Sequence, residues 1–138
     1  MILRYIYGGR LSLEEYDTSD IIKILVASME DSNEILGGYN PIMWTSNIIW
    51  GVTKDSFIFS FKNKENIGNY ILSRVKNENY AIENDSSLGP TFGDGDLELN
   101  GKNHNKACYY SRVYEKQIRE TEDNFSVEEY EIFQIIKD

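Results

Sequence analysis

The residues that could do chemistry are few, and the single cysteine comes first. Cys108 follows His104 and Lys106, and a neighbouring cation or histidine is what stabilises a reactive thiolate. Such a thiol could consume peroxide stoichiometrically. The stretch Ala107-Cys108-Tyr109-Tyr110 is apolar, which favours a buried structural cysteine instead. Peroxide scavenging through the redox candidate Cys108 is therefore the alternative function and not the leading one.

Metal-binding and acid–base chemistry have weaker support. His104 and Cys108 supply at most two zinc ligands, and the row Asp94, Asp96, Glu98 lacks the ligand order of a helix–loop–helix calcium site. The glutamates of the C-terminal third are explained by a solvated polar segment. A nucleophile elbow and a phosphate-binding glycine loop are both absent from the sequence. We therefore expect no catalytic residue, no metal site and no cofactor.

The charge of the chain limits its classes of partner. Fourteen basic and 23 acidic residues give a net charge of -9, which repels nucleic-acid phosphates and anionic lipid head groups. A basic protein surface is the complementary partner, although an acidic balance also serves solubility. The apolar runs are shorter than the ~20 residues of a membrane-spanning helix, and one cysteine cannot form an internal disulfide. We expect a cytoplasmic chain that binds protein, without nucleic acid and without insertion into a membrane.

The elements that position these residues are predicted to be mainly strands. A length of 138 residues fits one domain, and an aromatic share of 13% favours sheets over a helical bundle. Phe57, Phe59 and Phe61 recur at period two, which predicts an amphipathic strand with the phenylalanines on its core face. Residues 70–75 and 80–82 would continue an antiparallel meander beside it.

Two segments of the sequence carry a helix signal beside a strand signal. Residues 21–29 fit the spacing of a helix and equally the β-branched composition of a buried strand. If they form a strand, the polar turn at 31–33 joins them in a hairpin to residues 34–39. Ser126-Val127-Glu128-Glu129 matches a capping box and predicts a helical turn before a strand at 130–135.

Glycine and proline mark two structural motifs. In the first, two adjacent glycines permit close approach of an aromatic ring, which we expect to be that of Trp44 or Trp50. The second is a tight corner that enters a strand. The motif residues are Gly37, Gly38, Tyr39, Asn40 and Pro41 in the first, and Gly89, Pro90 and Gly93 in the second.

Five ordered blocks resemble the TLDc domain of the oxidation-resistance family. They are NEILGGYNP from Asn33, TKDSFIFSF from Thr53, ILSRV from Ile71, GPTFGDGDLEL from Gly89 and FSVEEYEIFQI from Phe125. Five blocks in order are far more specific than a single glycine motif. The resemblance implies an α+β fold that is mainly β, an antiparallel β-sandwich with short flanking helices.

The opening of the chain resembles a different module, the later part of a BTB/POZ domain. We accordingly divide the chain into a BTB-tail-like segment at 1–29 and a partial TLDc domain at 30–138. The BTB dimer strand has no counterpart here, so dimerisation of that type is not expected. Residues 22–29 have the apolar length to replace a missing first strand of the sandwich.

The resemblance also implies a function and a set of contact residues. TLDc proteins are associated with protection from oxidative damage and, in several members, with binding the vacuolar proton-pumping ATPase. We expect a non-enzymatic interaction module whose partner is a protein, with the peripheral sector of that ATPase as the leading candidate. A non-functional fragment of a longer BTB–TLDc protein is a further alternative. The expected partner-contact residues lie in two loops and are Phe92, Asp94, Asp96, Tyr114, Glu115, Lys116, Arg119 and Glu122.

Overall fold

The fold is known from a computed structural model that describes most of the chain. The described residues are 2–7, 21–29, 33–42, 44–45, 48–63, 68–85, 89–100, 105, 107, 113–120 and 124–136; at 2–7, 21–25, 128–130 and 134–136 only the backbone is described. Within them the strands are β1 (Ile2–Tyr7), β2 (Ile21–Met29), β3 (Ile35–Asn40), β4 (Trp50–Gly51), β5 (Phe57–Phe61), β6 (Tyr70–Arg74), β7 (Ile82–Glu83), β8 (Thr91–Phe92), β9 (Leu97–Glu98) and β10 (Val127–Ile136).

These strands form two antiparallel sheets. The larger sheet has the order β1-β10-β2-β3-β5-β6, and the smaller sheet has the order β4-β7-β8-β9. Their pairing confirms the predicted mainly-β fold. The only helical element in the described ranges is a 3₁₀ turn at Glu78–Tyr80. Among the described residues, no helix is long and apolar enough to cross a membrane.

The segment Ile21–Met29 is a strand, which decides between the two structures that its sequence allowed. It lies between β10 and β3 in the larger sheet and pairs with both. The Met29 amide donates to the Glu34 carbonyl oxygen at 3.2 Å, which closes the predicted hairpin with β3. Partners on both sides suit β-branched residues, which pack well on a pleated surface.

The core lies between the two sheets. Leu36 and Ile58 from the larger sheet are buried in one cluster with Ile82, Phe92 and Leu97 from the smaller one. At Gly38 an added Cβ would lie only 2.6 Å from Phe92 Cζ, so glycine is needed for this close approach. The approaching ring is therefore that of Phe92, not of a tryptophan. Trp44 packs edge-on against Phe92 instead, with ring centroids 5.4 Å apart.

Strand β5 alternates with the predicted period of two, but the face that is buried is the opposite of the one predicted. Ile58 and Ser60 are buried, whereas Phe57, Phe59 and Phe61 are only partly buried and lie on the other face. The prediction that the phenylalanines form the core face is wrong. Ile58 on the inner face packs in the core cluster, and the three phenylalanine rings lie on the outer face.

Two shorter predictions are also corrected. The capping box at Ser126 does not start a helix, because Val127 begins β10 and pairs with Met29. The buried side chain of Val127 and the strand pairing outweigh the local helix signal. Ile82 belongs to the smaller sheet, so residues 80–82 do not continue the meander of β5 and β6. The apolar stretch that contains Cys108, which is also strand-like in sequence over residues 107–111, lies mostly outside the described residues.

Candidate interaction surface

The predicted corner at Gly89–Gly93 leads into a tight hairpin between β8 and β9. Gly93 and Gly95 have φ of 66° and 83°, a region that favours glycine. An added Cβ at Gly93 would also collide with the Asp96 carboxylate, whereas one at Gly95 would meet open space. The hairpin thus holds the Asp96 side chain directly against the Gly93 backbone.

Asp96 fastens this hairpin to a distant loop. Its Oδ2 accepts hydrogen bonds from the Val113 amide at 3.2 Å and the Tyr114 amide at 3.0 Å. Bonds from backbone amides to a buried carboxylate are charge-assisted and stronger than neutral ones. Asp96 therefore fixes the start of segment 113–120, which is a structural role.

The Tyr114 side chain ties the same loop to both sheets. Its hydroxyl lies 2.8 Å from the Ala81 carbonyl oxygen and 2.7 Å from Ser56 Oγ, and Ser56 Oγ lies 2.7 Å from the Tyr39 carbonyl oxygen. The two hydroxyl groups can donate only two hydrogen bonds, so at any moment one of these three contacts is not a hydrogen bond. Burial raises the pKa of Tyr114 well above its usual range.

Backbone contacts continue along the edge of β6. The Glu115 amide donates to the Arg74 carbonyl oxygen at 2.9 Å, and the Lys116 amide donates to Ser73 Oγ at 2.7 Å. The side chains of Glu115 and Lys116 are exposed, while Ile118 is buried in the core cluster. The segment therefore presents charged side chains on a backbone that is held in place.

Ion pairs hold the far end of segment 113–120. Arg119 Nε lies 3.6 Å from Glu34 Oε2, and its guanidinium lies 4.8 Å from the centroid of the Phe125 ring. Burial raises the pKa of Glu34 even though Arg119 opposes the shift. On the surface, Lys62 Nζ lies 2.8 Å from Glu120 Oε1, and this hydrogen bond lowers the pKa of the Glu120 carboxyl.

Carboxylates gather on one side of the smaller sheet. Thr91 of β8 pairs with Glu83 on one side and with Glu98 on the other, so the two glutamates lie in one row. Desolvation raises the pKa of Glu83, and the charges of Glu98 and Asp94 add to the shift. Among the described residues no group of three or more metal-binding side chains is assembled.

Comparison with known proteins identifies the family. The family profile of the TLDc domain matches residues 13–136. The chain belongs to the TLDc family. Membership supports a role of the TLDc type, in protein interaction or resistance to oxidative stress. A search of curated proteins found no match. The BTB-like character of 1–29, the boundary at residue 30 and the incompleteness of the TLDc domain stay predictions.

The predicted contact residues of this TLDc domain divide by burial. Phe92, Asp96 and Tyr114 are buried, so their side chains stabilise the fold and are not presented to a partner. Asp94, Glu115 and Lys116 are exposed, and Arg119 is partly exposed. Glu122 and the redox candidate Cys108 lie outside the described residues.

The motif residues of the first glycine segment lie where β3 ends. Gly37, Gly38 and Asn40 are buried, and Tyr39 and Pro41 are partly exposed. Asn40 Oδ1 accepts from the Ile42 amide at 2.9 Å, which turns the chain after the strand. In the second motif Gly93 is buried, and Gly89 and Pro90 are partly exposed.

Two apolar surfaces were missed by the sequence reasoning. One is an open cleft of about 380 Å³ that we name the aromatic cleft; it is lined by Phe57, Phe59, Phe61, Tyr70 and Leu72. The other is a loop on which Ile48 and Ile49 are 81% and 62% exposed. The period-two phenylalanines were the signal for the cleft, but periodicity does not say which face of a strand is inside.

Proposed function

We propose that this TLDc domain is a non-enzymatic, cytoplasmic module that binds a protein assembly, with the peripheral sector of the vacuolar proton-pumping ATPase as the leading partner. Family membership supports the general class of function. The observation that carries the proposal is the anchoring of residues 113–116, which holds Glu115 and Lys116 outward. A loop whose backbone is already held in place loses little backbone conformational entropy when it binds.

The groups that anchor the loop lie on its buried side, which leaves its exposed side available for contact with a partner. Asp96 and Tyr114 fix the segment from inside, so the backbone of Glu115 and Lys116 is supported by groups that no partner needs to touch. Adjacent opposite charges can complement a mixed surface on a partner. This arrangement separates the residues that hold the loop from those that would meet the partner.

Co-sedimentation with the purified ATPase tests the proposal. We expect the full chain to co-sediment with the enzyme and to change its rate of ATP hydrolysis. The double variant Glu115→Ala/Lys116→Ala should weaken binding about tenfold or more, which is the effect of removing the few residues that dominate an interface. Ile48→Ser is the matched control, because Ile48 is also exposed but lies on another loop.

The outcomes show whether the proposed partner or the proposed contact surface is wrong. If the parent chain neither co-sediments with the ATPase nor alters its hydrolysis, this partner is wrong. If the parent binds and the double variant binds equally well, the ATPase is the partner but the 113–116 loop is not the contact.

A further inference from the structure

The outer face of the smaller sheet carries a row of four paired residues. Trp50 of β4 pairs with Glu83 of β7, Glu83 pairs with Thr91 of β8, and Thr91 pairs with Glu98 of β9. Residues that pair directly in antiparallel strands point to the same face of a sheet. The alternate residues of these strands, such as Ile82, belong to the core cluster, so the row faces away from the core. We name these four residues the outer row.

The two carboxylates of the outer row have no partner among the described residues. Glu98 is only 9% exposed and Glu83 is partly exposed, yet no described residue forms a hydrogen bond or an ion pair with either carboxylate. Thr91 lies between them, but its hydroxyl donates to the Gly89 carbonyl oxygen at 3.0 Å. Removing a carboxylate from water without a partner is unfavourable. A cation from outside the chain would therefore stabilise this row.

The charges close to the outer row are negative. The charged groups that act on Glu83 are the carboxylates of Glu98, Asp94 and Asp85. No cation of the described residues is among the groups that shift the pKa of Glu83. A positive group that approaches the row therefore meets attraction from several carboxylates at once.

The β4 end of the outer row adds an aromatic ring. Trp50 is partly exposed and lies edge-on to Tyr80, with ring centroids 5.2 Å apart. Beyond Trp50 the exposed cation Lys54 is outnumbered by the exposed carboxylates of Asp55 and Glu78. An aromatic ring beside carboxylates favours a cation that has an apolar stem.

The guanidinium group of arginine fits this row better than a metal ion does. Among the described residues no three acidic, histidine or cysteine side chains are placed to hold a metal. Glu83 and Glu98 are separated by two strand spacings, about 10 Å, which leaves room for one planar group between their side chains. A guanidinium has five N–H donors, enough to serve two carboxylates, and it stacks on aromatic rings.

We propose that the outer row binds an arginine side chain presented by a basic partner protein. The guanidinium lies between Glu83 and Glu98 and donates to both carboxylates, and the aliphatic stem packs against Trp50. The charge of -9 on the whole chain attracts such a partner at longer range. The 113–116 loop lies beside β6 of the larger sheet, so this site is separate from it and goes beyond the proposed function.

An NMR titration of the ¹⁵N-labelled full chain tests the inference. The probe is the peptide Leu-Thr-Arg-Thr-Leu with blocked ends. Its matched control has citrulline in place of arginine, which keeps the shape of the side chain and removes its charge. We expect the arginine peptide to shift the amide signals of Glu83, Thr91 and Glu98 in a saturable way. The citrulline peptide should bind about tenfold more weakly or less, because charge-assisted hydrogen bonds are lost.

Variants of the chain show whether the two carboxylates take part. Glu83→Gln and Glu98→Gln should each weaken binding of the arginine peptide about tenfold, since each removes one charged acceptor. Glu115→Gln is the control, because it removes the same charge from an exposed residue elsewhere, and it should change binding by less than about twofold. Thermal unfolding of each variant shows that it is folded before its binding is compared.

Three results would overturn the inference. Equal binding of the arginine and citrulline peptides would exclude a site for a cation. Equal weakening by Glu115→Gln and Glu83→Gln would reduce the effect to the overall charge of the chain. A dimer of the chain that is lost in Glu83→Gln would assign the row to an arginine of a second copy.

The inference and the proposed function can fail separately. Peptide binding at the outer row without co-sedimentation with the ATPase rejects the ATPase alone. Co-sedimentation without peptide binding rejects the outer row alone.

Discussion

The hydroxyl groups of Ser56 and Tyr114 lie 2.7 Å apart in the buried layer between the two sheets. Their residues are 58 positions apart in the sequence, yet the contact joins the start of β5 to the loop beside β6. Through the Tyr39 and Ala81 carbonyl oxygens the same pair reaches β3 and the smaller sheet. One buried polar contact thus links the elements that hold the candidate surface.

Replacing Tyr114 with phenylalanine should destabilise the protein by about 1–3 kcal/mol, because the Ala81 carbonyl oxygen loses its donor in a buried site. The free energy of unfolding in urea measures this loss. Tyr80→Phe is the control, since Tyr80 is exposed and should change stability by less than about 0.5 kcal/mol. Equal stability of Tyr114→Phe and the parent would show that the hydroxyl contributes nothing.

The same tyrosine predicts a pH dependence in alkaline solution. Its folded pKa is raised above the ordinary value of 10.0, so the native state keeps the proton longer than the unfolded state does. The stabilisation is complete below pH 10 and is lost as pH rises from there toward the folded pKa, by up to about 1.4 kcal/mol per pH unit. Unfolding in urea at several pH values should therefore show a steeper decline above pH 10 in the parent than in Tyr114→Phe. Parallel curves would contradict this.

The two glycines of the β8–β9 hairpin should respond differently to alanine. Both have positive φ, so each substitution costs about 1–2 kcal/mol from backbone conformation. Gly93→Ala should cost more than Gly95→Ala, because only its Cβ meets the Asp96 carboxylate. Hydrogen exchange at the Val113 and Tyr114 amides should also rise in Gly93→Ala alone. Equal losses for the two variants would mean that Asp96 moves away at no cost.

Glu83→Gln should stabilise the protein slightly at neutral pH. The folded pKa of Glu83 is raised by desolvation and by neighbouring carboxylates, so its stabilising contribution is present at acidic pH and is lost as pH rises through the folded pKa. The gain at pH 7 should stay below about 1 kcal/mol, because partly exposed charges are screened. It should vanish near pH 3. Melting curves of both proteins at the two pH values check this, with Glu115→Gln as the exposed control.

Cys108→Ser should leave co-sedimentation with the ATPase unchanged, because the proposed function uses no thiol. It should also consume added peroxide no more slowly than the parent chain. A peroxide assay with both proteins at equal concentration measures this directly. Loss of peroxide consumption in the variant would favour the scavenging alternative over a purely binding role.

The sequence predicted the class of fold because strand signals are local. Period two predicted the alternation in β5, and the polar turn at 31–33 predicted the hairpin of β2 and β3 for the case that residues 21–29 form a strand. The sequence itself left those residues open between strand and helix. Which face of β5 is buried depends on the smaller sheet, whose strands are two residues long and give almost no periodic signal. That is why Phe57 and Phe59 were assigned to the wrong side.

The candidate surface was only partly predictable for a related reason. The sequence located the loop that contains Tyr114 and Lys116, but it could not separate the buried anchor from the exposed charge. The partners of Tyr114 and Asp96 are far away in sequence, at Ser56 and Val113. Long-range hydrogen bonds of this kind leave no pattern in a window of neighbouring residues.

The position of β10 determines the order in which the larger sheet can be completed during synthesis. β10 lies between β1 and β2, and its register places Ile136 opposite Ile2. On the ribosome, β1 and β2 emerge long before the strand that joins them, so until residues 127–136 have left the exit tunnel β2 can pair only with β3 and the described partner of β1 is missing. Pairing across such a separation is slow, and the two early strands stay exposed to misassembly in the meantime. The larger sheet therefore depends on late closure by β10.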